Sequence, residues 1–168
     1  MTILHSSASV CWYTPVDIIE RARTTLGHFD LDPATDEFGN SRVKAASFMT
    51  EKGLEAEWSG LVFLNPPGGR GSAKRWWNKL RESKAEAAIF VGFSMQILQT
   101  EQSILEHDFC IPKRRIHFEK PDGLPNSPTH GNVIVLYQRL RDDARSLRFR
   151  AAFETLGAVV CPAWDPYT

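Results

Sequence analysis

The residues most suggestive of chemistry form the short run Asn65-Pro66-Pro67, which directly follows an apolar segment. Pro67 lacks an N–H and restricts Pro66 to extended geometry, so the Pro66 carbonyl is kept out of helix and turn hydrogen bonds. The side chain of Asn65 adds an amide oxygen close by. Two neighbouring acceptors of fixed direction suit the two N–H groups of a planar exocyclic amine. Accepting hydrogen bonds from that amine would stabilise the positive charge that develops as it attacks.

The same run also fits a simple tight loop, because Asn, Pro and Gly are common loop residues. Residues elsewhere in the sequence favour the interpretation that this run binds an amine. Asp30 and Asp32 lie at the end of an earlier apolar segment, where an acidic residue commonly accepts hydrogen bonds from a ribose or an amino group. Trp12, Thr14 and Pro15 precede a predicted helix, and helix N-termini favour carboxylates and phosphates. Thr14 fits a plain N-cap equally well.

These residues must be positioned by a frame of strands and helices. Apolar segments predict strands at 29–31, 60–64, 87–93, 115–118, 132–137 and 158–161. Apolar periodicity predicts helices at 15–26, 74–84, 95–106 and 141–156, with a helix or turn at 42–49. Alternation of the two indicates an α/β domain with a mostly parallel central sheet. Ligands of such sheets bind beyond the carboxyl ends of the strands, so we expect the polar residues there to share one cleft.

Composition sets limits on the class of protein. The 168 residues suit one domain, and a hydrophobic content of 42% suffices for a core. Twenty basic and twenty acidic residues balance, which excludes a generally basic, nucleic-acid-coating protein but not a local basic patch. No apolar run approaches the ~20 residues of a membrane span, and the N-terminus lacks a signal-peptide pattern. We therefore expect a cytoplasmic single domain over 1–168, with a flexible N-terminus at 1–10 and no membrane association.

The cysteines give no sign of a framework or a metal centre. Cys11, Cys110 and Cys161 are odd in number, and none belongs to a CxxC pair. They fit plain thiols in a reducing compartment, and no partners for a metal site are evident. We expect no metal.

Several short segments occur in the order and at the spacing of one known family. They are WYTP at 12–15, FDLDPAT at 29–35, the Gly-Leu and Trp of 53–58, VFLNPP at 62–67, Trp76 or Trp77 with Lys79, and RRIHF at 114–118. Over roughly residues 11 to 137 the chain resembles the small phage-type DNA adenine-N6 methyltransferases, the Dam-like family of phages and prophages. The resemblance implies a Rossmann-like methyltransferase fold with helices on both faces of the sheet. It also implies S-adenosylmethionine as methyl donor, DNA as partner, and a bacterial host cell as location.

The resemblance implies roles for individual residues. Asn65 and the Pro66 carbonyl would hold the target amine, and Pro67 would fix their geometry. The donor site would be lined by Trp12, Thr14, Pro15, Asp30, Asp32, Pro33 and Ala34. The flipped base and its DNA would be contacted by Gly68, Gly69, Arg70, Lys74, Arg75, Trp76, Phe93, Ser94, Arg114, Arg115 and His130. Flipping is required because an amine inside a duplex cannot be reached.

The basic residues near these positions support contact with DNA. Residues 70–84 contain six basic residues and one acidic residue, and a second cluster lies at 113–115. Phosphate contacts from such clusters give salt-dependent affinity without sequence preference. An ordinary solvated helix face explains the first cluster equally well.

One departure from the family pattern is Gly68. An aromatic residue normally follows NPP and stacks on the flipped base. Another ring would have to replace it here, with Trp76, Trp77 or Phe93 as candidates, unless the acceptor differs or the site binds without catalysing. Glycine at 68 and 69 would also let a larger substrate approach the backbone.

Three hypotheses therefore stand. The first is transfer of a methyl group to adenine N6 in DNA. The second keeps the chemistry and changes the acceptor to cytosine N4, a nucleotide, RNA or a protein amide. The third is a degenerate DNA-binding module. The chain has no room for a large target-recognition domain, so we expect relaxed sequence specificity, read by the loop at 119–131.

Overall fold

The computed structural model describes residues 12–120 and 129–162. Within these residues the chain forms one sheet of seven strands with helices packed on it. The predictions for residues 1–10, and most of the loop expected to read the target sequence, lie outside the described part.

The elements alternate along the chain as an α/β domain requires. Helices α1 to α5 span Val16–Leu26, Glu37–Val43, Ser72–Glu82, Ile97–Thr100 and Asp143–Phe153. A 3₁₀ turn at Gln102–Glu106 follows α4. Strands β1 to β7 span Leu31–Asp32, Ser47–Phe48, Ser59–Leu64, Lys84–Gly92, Asp108–Pro112, Val133–Gln138 and Gly157–Val160.

The sheet is mixed, with strand order β2-β1-β3-β4-β6-β5-β7. Neighbouring strands from β2 to β4 pair in parallel. Strand β6 pairs antiparallel with both β4 and β5, and β7 pairs antiparallel with β5. The prediction of a parallel sheet is confirmed at the β2 to β4 end, whereas the other end is antiparallel.

Helices cover both faces of the sheet, as predicted. Alternate residues of a strand point to opposite faces, and Phe63 and Val62 of β3 accordingly belong to two separate cores. The Phe63 core contains buried side chains from α1 and α5, including Ile19 and Phe149. The Val62 core contains side chains from α3 and α4, including Trp77.

Two predicted elements are wrong. The segment 115–118 is not a strand of the sheet, and β5 at Asp108–Pro112 takes that position. The segment 42–49 is not one helix, because α2 ends at Val43 and β2 follows. Alternating apolar residues at 116 and 118 imitate a strand but bury their side chains outside the sheet, which periodicity alone cannot distinguish.

Asp30 stabilises the sheet through hydrogen bonds to β3 and does not lie at the candidate site. Its carboxylate accepts a hydrogen bond from the Leu61 amide at 2.7 Å, and its own amide donates to the Leu61 carbonyl at 2.8 Å. Leu61 lies near the start of β3, four residues before Asn65, so Asp30 does not reach the carboxyl edge. A Cβ on Gly60 would lie 2.3 Å from Asp30 Oδ2, so this position also requires glycine. The structure therefore gives Asp30 a structural contact, and its predicted role in the donor site stays a prediction.

We expect Asp30→Ala to lower the free energy of unfolding by about 1–2 kcal/mol, because the Leu61 amide loses its acceptor. Urea denaturation would measure the change. His28→Ala is the matched control, since the exposed His28 side chain contacts only the other Asp30 oxygen, at 3.2 Å. Equal stability of the two variants would contradict this role for Asp30.

Candidate functional site

Polar residues from several strands meet at one edge of the sheet. Asp32 ends β1, Asn65 follows β3, and Ser94 follows β4. Because β6 runs antiparallel to β4, its amino end lies at the same edge and brings Asn132 there. The sequence therefore predicted correctly that the residues after the strands would gather along one edge.

A small cavity of about 30 Å³ lies at the centre of this edge. Its lining comprises Trp12, Tyr13, Thr14, Ile19, Asp32, Ala34, Thr35, Gly39, Arg42, Val43, Phe63, Asn65, Pro66 and Pro67. Four of the residues predicted for the donor site thus share one cavity with all three residues predicted to be catalytic. Parallel pairing of β1 and β3 brings Asp32 to Asn65, and a hydrogen bond from Asn65 to the Trp12 carbonyl bridges a separation of 53 residues.

The side chain of Asn65 is held by a backbone contact. Its Nδ2 donates to the Trp12 carbonyl oxygen at 2.7 Å. A carbonyl can only accept, so the amide nitrogen must face Trp12 and the amide oxygen must face elsewhere. The Pro67 carbonyl accepts from the Ser72 hydroxyl at 2.6 Å. Among the described residues, neither Asn65 Oδ1 nor the Pro66 carbonyl accepts a hydrogen bond, which leaves two adjacent acceptors for a ligand.

Asp32 and Thr14 bring poorly satisfied polar groups to the small cavity. Asp32 is 2% exposed, and the Ala34 amide donates to its Oδ1 at 3.1 Å. Burial raises the pKa of Asp32 to about 7, and the nearby charge of Asp36 adds to the shift. The Thr14 hydroxyl is buried and has no hydrogen-bond partner among the described residues. An uncompensated carboxyl and an unpaired hydroxyl form a site suited to a small cationic group.

A second space, the side cavity, adjoins the small one. It has a volume of about 330 Å³ and is lined by Pro33, Ala34, Thr35, Met49, Thr50, Glu51, Lys52, Gly53, Pro67 and Trp76. Ala34, Thr35 and Pro67 line both cavities. This volume falls within the range of about 300–1,000 Å³ found for small-molecule sites.

Glu51 is a candidate functional residue that the sequence analysis missed. It follows β2 and lines the side cavity. An acidic residue about 20 positions after the first strand of a nucleotide-binding unit commonly contacts a ribose. Glu51 stands at that distance from Asp32, so this spacing could have identified it. The two-residue β2 was not predicted, and without that strand Glu51 had no place at the sheet edge.

The large cavity lies on the other side of the Pro66-Pro67 loop and has a volume of about 550 Å³. It is lined by Pro66, Pro67, Gly68, Gly69, Arg70, Gly71, Ala73, Lys74, Phe93, Ser94, Gln96, Ile97, Thr100 and His130. Seven of the residues predicted to bind the substrate are among them. Lys74 lines this cavity and forms an ion pair of 2.9 Å with the mostly buried Glu101.

Asn132 fixes one wall of the large cavity. Its side-chain amide donates to the Phe93 carbonyl at 3.1 Å, and its Oδ1 accepts from the Ile116 amide at 2.9 Å. The residue is 3% exposed. Asn132 therefore ties the end of β4 to the segment before residue 120 and holds Phe93 in place.

Five predicted residues lie away from these cavities, and Asp30 is one of them. Pro15, Arg114 and Arg115 line a separate basic cavity of about 350 Å³, together with Arg21 and Lys113. The exposed Arg75 lines none of the four cavities.

Trp76 and Trp77 are core residues. The Trp76 ring stacks on Trp58, with ring centroids 5.7 Å apart, and reaches only the side cavity. Trp77 is fully buried, and its indole N–H donates to the Ser103 hydroxyl at 3.0 Å. The structure therefore places the Trp76 ring in the core against Trp58, and its predicted contact with a base stays a prediction.

Comparison with known proteins adds no relative. No protein-family model matches the chain, and neither a curated protein nor a solved structure matches it. In residues 12–120 and 129–162, no helix is long and apolar enough to cross a membrane, and no group of three or more His, Cys, Asp or Glu could hold a metal. Fold and site together define an α/β domain with a polar, ligand-sized cleft at the carboxyl edge of a mixed sheet.

The raised pKa of Asp32 predicts a pH-dependent stability. In the folded protein this pKa is about 7, against 3.8 for an unperturbed carboxyl, so between these values the folded state retains a proton that the unfolded state releases. Because the folded state binds this extra proton, the free energy of unfolding falls as the pH rises from about 4 to about 7. The free energy of unfolding of Asp32→Asn should be close to that of the wild type near pH 4. Above pH 7 it should exceed the wild-type value by up to about 4 kcal/mol.

Urea denaturation at several pH values would measure this difference. Asp143→Asn is the control, because that carboxyl is 83% exposed and should leave the profile unchanged. A constant difference between Asp32→Asn and wild type across the pH range would show that Asp32 does not titrate in this window.

Proposed function

We propose that this domain is an S-adenosylmethionine-dependent methyltransferase that methylates an exocyclic amine of a flipped base, foremost adenine N6 of DNA. The observation that carries the proposal is the pair of unoccupied acceptors, Asn65 Oδ1 and the Pro66 carbonyl, at a small cavity that shares lining residues with two cavities of ligand size. The ordered segments shared with the phage-type adenine methyltransferases support the same assignment.

The two acceptors would act on the amine directly. Each would accept one N–H of the target group, which localises the nitrogen lone pair and stabilises the developing positive charge. Both acceptors are preorganised, since Asn65 is held by the Trp12 carbonyl and Pro66 by its proline neighbour. The nitrogen loses one proton after the transfer, and this step needs no strong general base.

The residues around the small and side cavities fit a methyl donor of this kind. The small cavity alone is too small for the whole molecule, whereas the side cavity has sufficient volume and shares three lining residues with it. Ionised Asp32 and the unpaired Thr14 hydroxyl would hold the ammonium of the amino-acid part. Glu51 would accept hydrogen bonds from the ribose hydroxyls. The bound donor supplies an electrophilic methyl group on a sulfonium.

The large cavity would receive the flipped base. It opens on the opposite side of Pro66-Pro67 from the side cavity, so that the acceptors stand between the two substrates. Arg70 and Lys74 in its lining would contact the flanking phosphates. Arg114 and Arg115, at the basic cavity, would contact the DNA backbone farther from the reaction.

A different amine acceptor is the second candidate function. The two acceptors would serve any planar amine, including cytosine N4, a nucleotide, RNA or a protein amide. Gly68 favours this alternative, because no side chain at that position closes the large cavity. Among these alternative acceptors, the basic residues around the cavities favour a nucleic acid.

Transfer of a radiolabelled methyl group to unmethylated DNA tests the proposal. We expect label on N6-methyladenine after digestion, and Asn65→Ala should reduce the rate by about 10²–10³-fold, as loss of one preorganised polar group does. Asn78→Ala on α3 is the control, since Asn78 lines none of the cavities.

The outcomes separate the hypotheses. Donor binding without label on DNA would replace DNA by another acceptor. Absence of both donor binding and transfer would contradict the proposal and favour a degenerate module.

The position of Arg70 predicts a phosphate contact that Arg75 does not make. Arg70→Ala should weaken DNA binding and reduce the slope of log K against log salt by about one. Arg75→Ala removes the same charge from the same region. It should change neither the affinity for DNA nor the salt slope. Fluorescence anisotropy at several salt concentrations would measure both variants, and identical slopes would contradict a specific role for Arg70.

A further inference from the structure

The indole of Trp12 lies beside the backbone of Gly68. A Cβ added to Gly68 would lie 3.8 Å from Trp12 Nε1 and 3.9 Å from Trp12 Cδ1. These are ordinary van der Waals distances, and Gly68 does not have the positive φ that would demand glycine. Trp12 therefore occupies space next to that which a side chain at position 68 would enter.

Trp12 is joined to the acceptors through its backbone. Its carbonyl accepts the hydrogen bond from Asn65 Nδ2 at 2.7 Å, and the residue lines the small cavity together with Pro66 and Pro67. A ring whose amine is held by Asn65 Oδ1 and the Pro66 carbonyl would therefore enter beside the cavity that Trp12 helps to line. A planar base held by its edge still needs a partner for its face, and base–aromatic stacking supplies one.

The Trp12 side chain packs against the Phe63 core and also carries a lysine ammonium over its ring. The Lys120 ammonium lies 5.5 Å from its ring centroid, and the residue is partly exposed. A ring face that accepts a cation is also accessible to a planar π system. A base entering over that face would displace the flexible lysine side chain, whose charge could then pair with a phosphate.

The other aromatic candidates are less well placed. Trp76 and Trp77 are buried in the core. Phe93 lines the large cavity, but its ring packs against Phe118 and His130, with centroids 6.0 and 5.9 Å away.

We propose that Trp12, which lines the small cavity with the two acceptors and lies beside Gly68 of the large cavity, is the stacking surface for the target base. This inference rests on the proposed function. It assigns to a residue before α1 the contact that Gly68 cannot make.

A rescue experiment with the full-length protein tests it. Trp12→Ala should lower kcat/KM for unmethylated DNA about fivefold to a hundredfold, the value of one stacked base, and should weaken S-adenosylmethionine binding by a clearly smaller factor. Trp12→Phe should retain most of the activity. Adding Gly68→Phe to Trp12→Ala should restore much of the loss, because its ring enters the vacated space, whereas adding Gly68→Ala should not.

The controls separate stacking from a structural effect. The Asn65 contact uses the Trp12 backbone and survives all the substitutions, and thermal unfolding would verify that each variant folds. Unchanged kcat/KM in Trp12→Ala would overturn the inference. So would equal losses of donor affinity and transfer, or a loss that neither Trp12→Phe retains nor Gly68→Phe restores. Absence of transfer by the wild-type protein would instead contradict the proposed function itself.

Discussion

The hydrogen bond from Asn65 Nδ2 to the Trp12 carbonyl is the contact on which the site depends. It connects the loop after β3 to the segment before α1, and it dictates which end of the amide is left for a ligand. The 12–14 segment is itself held on its other side, because Tyr13 and Glu119 exchange backbone hydrogen bonds of 2.8 and 3.0 Å. Loss of this arrangement would release the acceptor geometry and the small cavity together.

The buried carboxyl of Asp32 at the candidate site destabilises the folded protein. Asp32 is buried without a cationic partner among the described residues, and its raised pKa expresses that cost. Asp30, two residues earlier, has the opposite character, since it satisfies the Leu61 amide and strengthens the sheet. Two carboxylates two residues apart thus have different surroundings, because Asp30 lies before β1 and contacts the start of β3, whereas Asp32 ends β1 at the small cavity.

The antiparallel β6 shapes the cleft as much as the parallel strands do. Its insertion between β4 and β5 brings Asn132 to the edge where the parallel strands end. The large cavity then has walls from the loop after β3, from the end of β4 and from the segment before β6. A purely parallel sheet would have left that side of the Pro66-Pro67 loop without Asn132 to fix Phe93.

The sequence by itself determined the α/β class, the long strands and helices, and the association of Asp32 with Asn65-Pro66-Pro67, because apolar periodicity and strand-end chemistry are local signals. It did not determine β2, β5 or the end of α2, since two-residue strands and buried non-strand segments have no distinctive pattern. Only the tertiary structure decided that Asp30 supports the sheet, that Trp76 packs on Trp58, and that Trp12 faces Gly68. Those outcomes depend on which residues distant in sequence become neighbours, and no short segment encodes that.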